Sequence, residues 1–196
     1  MLPRLDKPRI LDIGCGSGVS TLELARLSRG EVIGIDIDQA ALDKFSGRIK
    51  EAGLAARVKA IQRSLLNMDF AAESFDIIWC EGAVYPVGFE RGLREWKRFL
   101  KPGGFLVVHD EQGNIAEKLE QISRCGYELL GHFTLSEDVW WKDYFAPLEN
   151  WIARSRARPA DHPAVLEELR QAQREMEMFK AHPECNRSVC FVIRRN

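Results

Sequence analysis

Residues 10–18 read ILDIGCGSG, an apolar run of strand length that passes directly into glycines at every second position, Gly14, Gly16 and Gly18. Glycine is used where the backbone turns through left-handed space or lets another group approach closely. Three of them before the helix-spaced stretch Val19 to Ser28 predict a strand, a tight turn and a helix whose first N–H groups point at a ligand. Such a loop is a weak signal by itself, so the rest of the chain must decide what it serves.

The same order of strand and helix repeats along the chain. Strand-length apolar runs lie at Arg9 to Ile13, Glu31 to Asp36, Val58 to Gln62, Phe75 to Cys80 and Phe105 to His109. Helical spacing fills Val19 to Ser28, Gln39 to Ala52 and Phe89 to Leu100, with Gly30, Gly53 and Pro102-Gly103-Gly104 as stops. A helix capped at Asn114 and running to Arg124 precedes a strand from Tyr127 to Thr134, and Ser188 to Arg194 is a final strand. Strands that alternate with helices predict an α/β fold with a parallel sheet. At 196 residues, 45% hydrophobic, the chain suits one domain, 1–196, with a sizeable core.

Residues 136–183 interrupt the alternation and read as a helical insertion before the last strand. In SEDVWWKDYFAPLENWI, Trp141, Tyr144, Phe145, Leu148 and Ile152 recur at helical spacing, and Pro147 is expected to kink or restart the helix. A second amphipathic helix carries Val165, Leu169, Ala172, Met176 and Phe179 on one side. Both stripes suit packing, and the aromatic one also suits the mouth of a small-molecule pocket.

The spacing GxGxG narrows the ligand. A dinucleotide fingerprint places its third glycine later, and no lysine follows Gly18 as a phosphate-binding P-loop would require. In GIDID, Asp36 ends the second strand, where a carboxylate accepts from both hydroxyls of an unmodified ribose. A formal charge of -1 gives no overall attraction to a polyanion, which argues against nucleic acid as a partner. No apolar run approaches a membrane span and MLPRLDKPRI lacks a secretory core, so no membrane partner and a cytoplasmic location are expected. Cys15, Cys80, Cys125, Cys185 and Cys190 read as buried thiols, and no metal site is expected, although His182 near Cys185 and Cys190 leaves that alternative open.

Four stretches together resemble the class I S-adenosylmethionine-dependent methyltransferases of the small-molecule type: LDIGCGSG, GIDID, SFDIIWCEGA and LREWKRFLKPGGFLVV. The resemblance implies a Rossmann-like seven-stranded sheet in the order 3-2-1-4-5-7-6, the last strand antiparallel, with helices on both faces. It implies S-adenosylmethionine as the cofactor, leaving as S-adenosylhomocysteine. Carried over by motif, Asp12, Gly14, Cys15 and Gly16 surround the methionine part, Asp36 holds the ribose and Ile37 packs on adenine. Ser64 and Leu65 flank the adenine edge, and Glu81 and Gly82 lie near the sulfonium. Asp12 also fits a purely structural role in fixing the loop. Where Ser64 stands many relatives have aspartate, so the adenine contact can fall instead to backbone oxygens, Asn67, Met68 or Asp69. Relatives carry helices ahead of the first motif, whereas nine residues precede Ile10; a cover over the cofactor is missing, or comes from 136–183, or from a second copy in a homodimer.

Methyl transfer from a sulfonium is an in-line displacement that needs alignment and, for a protonated acceptor, a base. Catalytic candidates at the ends of the fourth and fifth strands are Glu81, Tyr85 and His109, with Asp110 and Glu111 beside them. EGAVYP lacks the motif of enzymes acting on planar amino groups of adenine or glutamine. Tyr85, Trp140, Trp141 and Tyr144 suit a small organic acceptor, a cation included, and Arg154, Arg156 and Arg158 an anionic group or plain solvent. The expected function is methylation of such an acceptor. A noncatalytic S-adenosylmethionine-binding protein is the first alternative and a nicotinamide-dependent oxidoreductase the second.

Overall fold

The computed structural model describes residues 2–156, 163–182 and 187–196. Arg158 and Cys185 lie outside them, as does the side chain of Val165. Strands Arg9–Ile13 (β1), Glu31–Asp36 (β2), Val58–Gln62 (β3), Phe75–Glu81 (β4), Leu100–Glu111 (β5), Tyr127–Leu135 (β6) and Ser188–Arg195 (β7) form one seven-stranded sheet. Their order is β3-β2-β1-β4-β5-β7-β6, with β7 antiparallel, as the resemblance implied. Helices Val19–Ser28 (α1), Gln39–Glu51 (α2), Phe89–Trp96 (α3) and Ile115–Arg124 (α4) connect the strands.

The near-continuous apolar runs of β1 and β2 follow from burial on both faces. On one face Leu22 and Ala25 of α1 and Leu42, Phe45 and Ile49 of α2 pack on Ile10, Val32, Val58, Ile77 and Phe105. Two residues further along β4 and β5, Trp79 and Val107 meet Cys190 and Val192 on that same side. Phe191, between them, points to the opposite face, where its ring meets Phe89 of α3 at 5.4 Å.

Beyond shifts of a residue or so at the ends of α2, β4, β6 and β7, three details differ from the sequence reading. The helix expected to reach Leu100 stops at Trp96 and tightens into a 3-10 turn over Lys97–Phe99, because β5 already begins at Leu100. Pro102-Gly103-Gly104 is therefore no helix stop but an irregularity inside β5, where Leu100 pairs with Phe75 and Phe105 with Ile77. Proline brings no N–H to the ladder, and a Cβ on Gly104 would lie 2.9 Å from the Lys101 carbonyl oxygen. At the end of α1 the left-handed residue is Arg29, not Gly30; Gly30 is needed because a Cβ there would lie 1.8 Å from the Pro8 carbonyl oxygen.

The chain divides into two compact units, Met1–Phe133 with Cys190–Asn196, and Thr134–Val189. The insertion read at 136–183 falls within the second. That unit holds the short helix Glu137–Trp140 (α5), a π turn at Trp141–Phe145, and helices Ala146–Arg156 (α6) and Pro163–Ala181 (α7). The π turn explains how the helix passes Pro147: Ala146 N–H reaches back to the Trp141 carbonyl, and the widened turn tolerates the missing proline donor. Phe145, Ile152, Ala172, Met176 and Phe179 form this unit's core, with the Phe145 and Phe179 rings 3.8 Å apart. Trp141 stacks on Phe179 at 5.8 Å while remaining 37% exposed, so the aromatic stripe is divided between core and surface.

Candidate functional site

The glycine loop is fixed to the end of β2 by its own backbone. Gly14 and Cys15 N–H donate to the Ile35 carbonyl at 2.9 and 3.0 Å, and Gly16 N–H donates to Asp36 Oδ2 at 2.8 Å. The other Asp36 oxygen accepts from Asp38 N–H at 2.9 Å, and Asp38 in turn caps α2 through Ala40 N–H at 2.9 Å. Two glycines are sterically required. Gly14 has φ 75° and its Cβ would lie 2.2 Å from that of Ala83; Gly18 has φ 79° and its Cβ would lie 1.9 Å from the Phe45 ring. Arg48 of α2 holds the same turn from outside, its guanidinium 2.8 Å from Ser17 Oγ and 3.0 Å from the Ser17 carbonyl.

Asp12, 2% exposed at the end of β1, accepts from Thr21 Oγ1 at 2.5 Å. Burial pushes its carboxyl up from 3.8 to about 7, against the Thr21 hydrogen bond, and the nearby charges of Glu81 and Asp36 push the same way. Cys15 is half-buried, and burial raises its thiol far above the ordinary range, so small size and not reactivity suits it to the loop.

A cavity of about 310 Å³ opens beside this loop. On the β1 and β2 side its wall is Gly14, Ile35, Asp36 and Ile37; after β3 it is Arg63, Ser64, Leu65 and Leu66; after β4 it is Glu81, Gly82, Ala83, Tyr85 and Pro86. Of the residues singled out in the sequence, Gly14, Asp36, Ile37, Ser64, Leu65, Glu81, Gly82 and Tyr85 therefore share one cavity, while Asp12, Cys15, Gly16 and His109 are not part of its wall. At its rim Ile37, Leu66 and Tyr85 are 68%, 53% and 77% exposed, an apolar mouth for a molecule with flat faces.

At the end of β4 the Trp79 indole N–H donates to Glu81 Oε2 at 3.2 Å. Glu81 pairs in register with His109 of β5, and Gly82 N–H reaches the His109 carbonyl at 3.3 Å. Burial lowers the His109 pKa; the charges of Glu81 and Asp110 oppose that shift and Lys118 reinforces it. Lys118 is itself bound to Asp110 Oδ2 and the Glu111 carbonyl, both at 2.5 Å.

Arg63 was missed by the sequence reading. Its N–H donates to the Asp36 carbonyl at 2.8 Å, its guanidinium pairs with Asp69, and it lies 5.0 Å above the Phe70 ring. The signal was its place directly after β3, one residue ahead of Ser64. The Asp69 pairing also occupies the one carboxylate among the groups, backbone oxygens, Asn67, Met68 and Asp69, that could stand in for the absent aspartate at Ser64. Ser64 Oγ accepts from Leu66 N–H at 3.2 Å.

Among the described residues no helix is long and apolar enough to cross a membrane. Residues 10–104 match the sequence model of a family described as a methyltransferase domain. A protein of Synechococcus sp. is 40% identical over 108 residues, 54% of this chain and 26% of that one. A methyltransferase of Streptomyces halstedii, GfsG, is 32% identical over 103 residues, 52% of this chain and 37% of its own. Of those two and the next relative, the chain spans between 26% and 42%. The crystal structure of an S-adenosylmethionine-dependent methyltransferase from Geobacter sulfurreducens with S-adenosylhomocysteine superposes with a TM-score of 0.74 at 21% identity, over 98% of this chain and 87% of that one.

Proposed function

We propose that this chain, whose residues 10–104 match a family described as a methyltransferase domain, is a class I S-adenosylmethionine-dependent methyltransferase that transfers a methyl group to a small organic acceptor. The observation that carries the reading is the placing of Asp36 and Gly14 in one cavity wall. A carboxylate at the end of β2 suits a ribose, and a glycine with no room for a Cβ brings bare backbone beside it. Ile37 and Leu66 offer apolar surfaces to a purine, while Ser64 and Leu65 border its edge. Glu81, in the wall after β4 and with Asp12 buried near it, supplies negative charge for a ligand carrying an ammonium and a sulfonium.

The sulfonium, when bound, supplies an activated methyl group and a neutral leaving thioether. What the chain contributes is alignment, charge and the exclusion of water. Tyr85 and Pro86, at the mouth after β4, border the place from which an acceptor approaches. The activity is tested by supplying radiolabelled S-adenosylmethionine with amines, phenols, thiols and carboxylates. Label in a product that disappears in Asp36→Ala supports the reading; tight cofactor binding without transfer to any of them refutes it in favour of a binding protein.

A further inference from the structure

We propose that the acceptor is an amine that arrives as an ammonium, bound by Glu81 and deprotonated by His109. This rests on the methyl-transfer reading above and goes beyond it by naming the accepting atom.

The argument starts from the position of Glu81. Its carboxylate is in the cavity wall and is held by the Trp79 indole N–H at 3.2 Å. Trp79 is anchored among Val107, Cys190 and Val192, so the donor is rigid. His109 is the in-register neighbour of Glu81 across β4 and β5. Paired residues of parallel strands project to the same face, about 5 Å apart. Carboxylate and imidazole therefore stand side by side at the strand ends where ligands of open α/β sheets bind, Glu81 in the cavity wall and His109 next to it, just outside that wall.

Charge selects among acceptors. Asp36 and Glu81 lie in the cavity wall, with Asp12 buried close enough to feel both charges, and the cation in that wall, Arg63, is already paired with Asp69. A carboxylate or a phenolate approaching Glu81 is repelled and an ammonium is attracted.

An ammonium has no free electron pair, and with an ordinary pKa of about 10 an alkylamine is protonated at neutral pH. The base beside it must itself be unprotonated. The groups facing His109 are Glu81 on β4, Asp110 on its own strand and Lys118 on α4, the last tied to Asp110 and the Glu111 carbonyl. Burial outweighs the two carboxylates and holds the imidazole below its ordinary 6.5, in the neutral form that accepts a proton.

The step balances. His109 takes one N–H proton from the ammonium, and the freed nitrogen pair forms the bond to the methyl carbon. The carbon–sulfur bond breaks with its pair going to sulfur. An N-methylammonium, S-adenosylhomocysteine and a protonated His109 result, and solvent removes the last proton.

Titration, product analysis and the kinetics of two variants test this. NMR titration of the unloaded protein should place His109 below 6.5, and lower still in Glu81→Gln, which removes a charge favouring the imidazolium. Radiolabelled methyl should reach benzylamine or ethanolamine in preference to phenol, benzenethiol and benzoate. Glu81→Gln, assayed at saturating S-adenosylmethionine so that a loss of cofactor binding is separated from a loss of the amine, should then lower kcat/KM for the amine by at least about tenfold, the scale of losing a charge-assisted hydrogen bond. Trp79→Phe keeps the packing and removes the N–H, so Trp79, as a positioning residue, should raise KM for the amine and leave kcat nearly unchanged. Transfer to phenol, thiol or carboxylate in place of amine overturns the inference. So does an unimpaired Glu81→Gln, a His109 titrating at or above 6.5, or cofactor binding with no amine methylated. Failure to bind S-adenosylhomocysteine at all instead refutes the methyl-transfer reading.

Discussion

Replacing Asp12 by asparagine should make the protein more stable, and increasingly so as the pH rises. Asp12 is buried at the end of β1, and its carboxyl is shifted from 3.8 to about 7 chiefly by that burial. A carboxyl whose folded pKa lies above its unfolded value binds its proton more tightly in the folded state. Folding is then least opposed below the unfolded pKa, loses stability as pH rises from 3.8 to about 7, and is flat above. At roughly 1.4 kcal/mol per unit, the shift sets a ceiling of about 4 kcal/mol at pH 8 and about 2 kcal/mol at pH 5. Asparagine keeps the side-chain volume and an oxygen for the Thr21 hydroxyl, so the difference isolates the charge. Urea unfolding of both proteins at pH 4, 6 and 8 measures it. The expected gain is near zero at pH 4 and about 2–4 kcal/mol at pH 8. The substituted protein should also bind S-adenosylmethionine at least about tenfold more weakly, since the charge that opposes folding serves the ligand's ammonium. A variant equally or less stable at pH 8 would show that Asp12 carries no buried charge, and the reasoning fails.

Other substitutions separate the parts of the site. Asp36→Ala should weaken S-adenosylhomocysteine binding by about 1–3 kcal/mol in calorimetry, from lost ribose contacts and from the freed Gly16 N–H. Gly18→Ala combines a left-handed backbone with a clash against buried Phe45, and thermal unfolding should show a loss of at least about 2 kcal/mol. In the second unit, Trp141→Ala removes the stack on Phe179 and, with the ring 37% exposed, should cost about 1–3 kcal/mol.

Much of the fold was legible because its signals are local. The runs at β1, β2 and β3 are bounded as the sequence reading had them, since each is a short apolar stretch closed by glycine or a charged residue. Leu100–Glu111 was not, because Pro102-Gly103-Gly104 reads as punctuation to any local rule and only pairing with β4 makes it strand. The π turn before Pro147 was equally hidden: proline signals a break, while a wider turn can absorb it. In the site, the glycine loop and Asp36 are spaced closely enough in sequence to be read together. Arg63 was not legible as a site residue because its pairing with Asp69 over Phe70 is a matter of side-chain geometry. That Glu81 and His109 are partners depends on the register of two strands, which neither strand encodes alone.

On the proposed function, the cavity between the glycine loop, Asp36 and the turn after β3 takes the nucleoside of S-adenosylmethionine. Calorimetry on the whole chain with S-adenosylmethionine, S-adenosylhomocysteine and NADH tests it directly. Micromolar binding of the first two, within about tenfold of each other, and none of NADH is the predicted result. NADH bound in preference to both would contradict it.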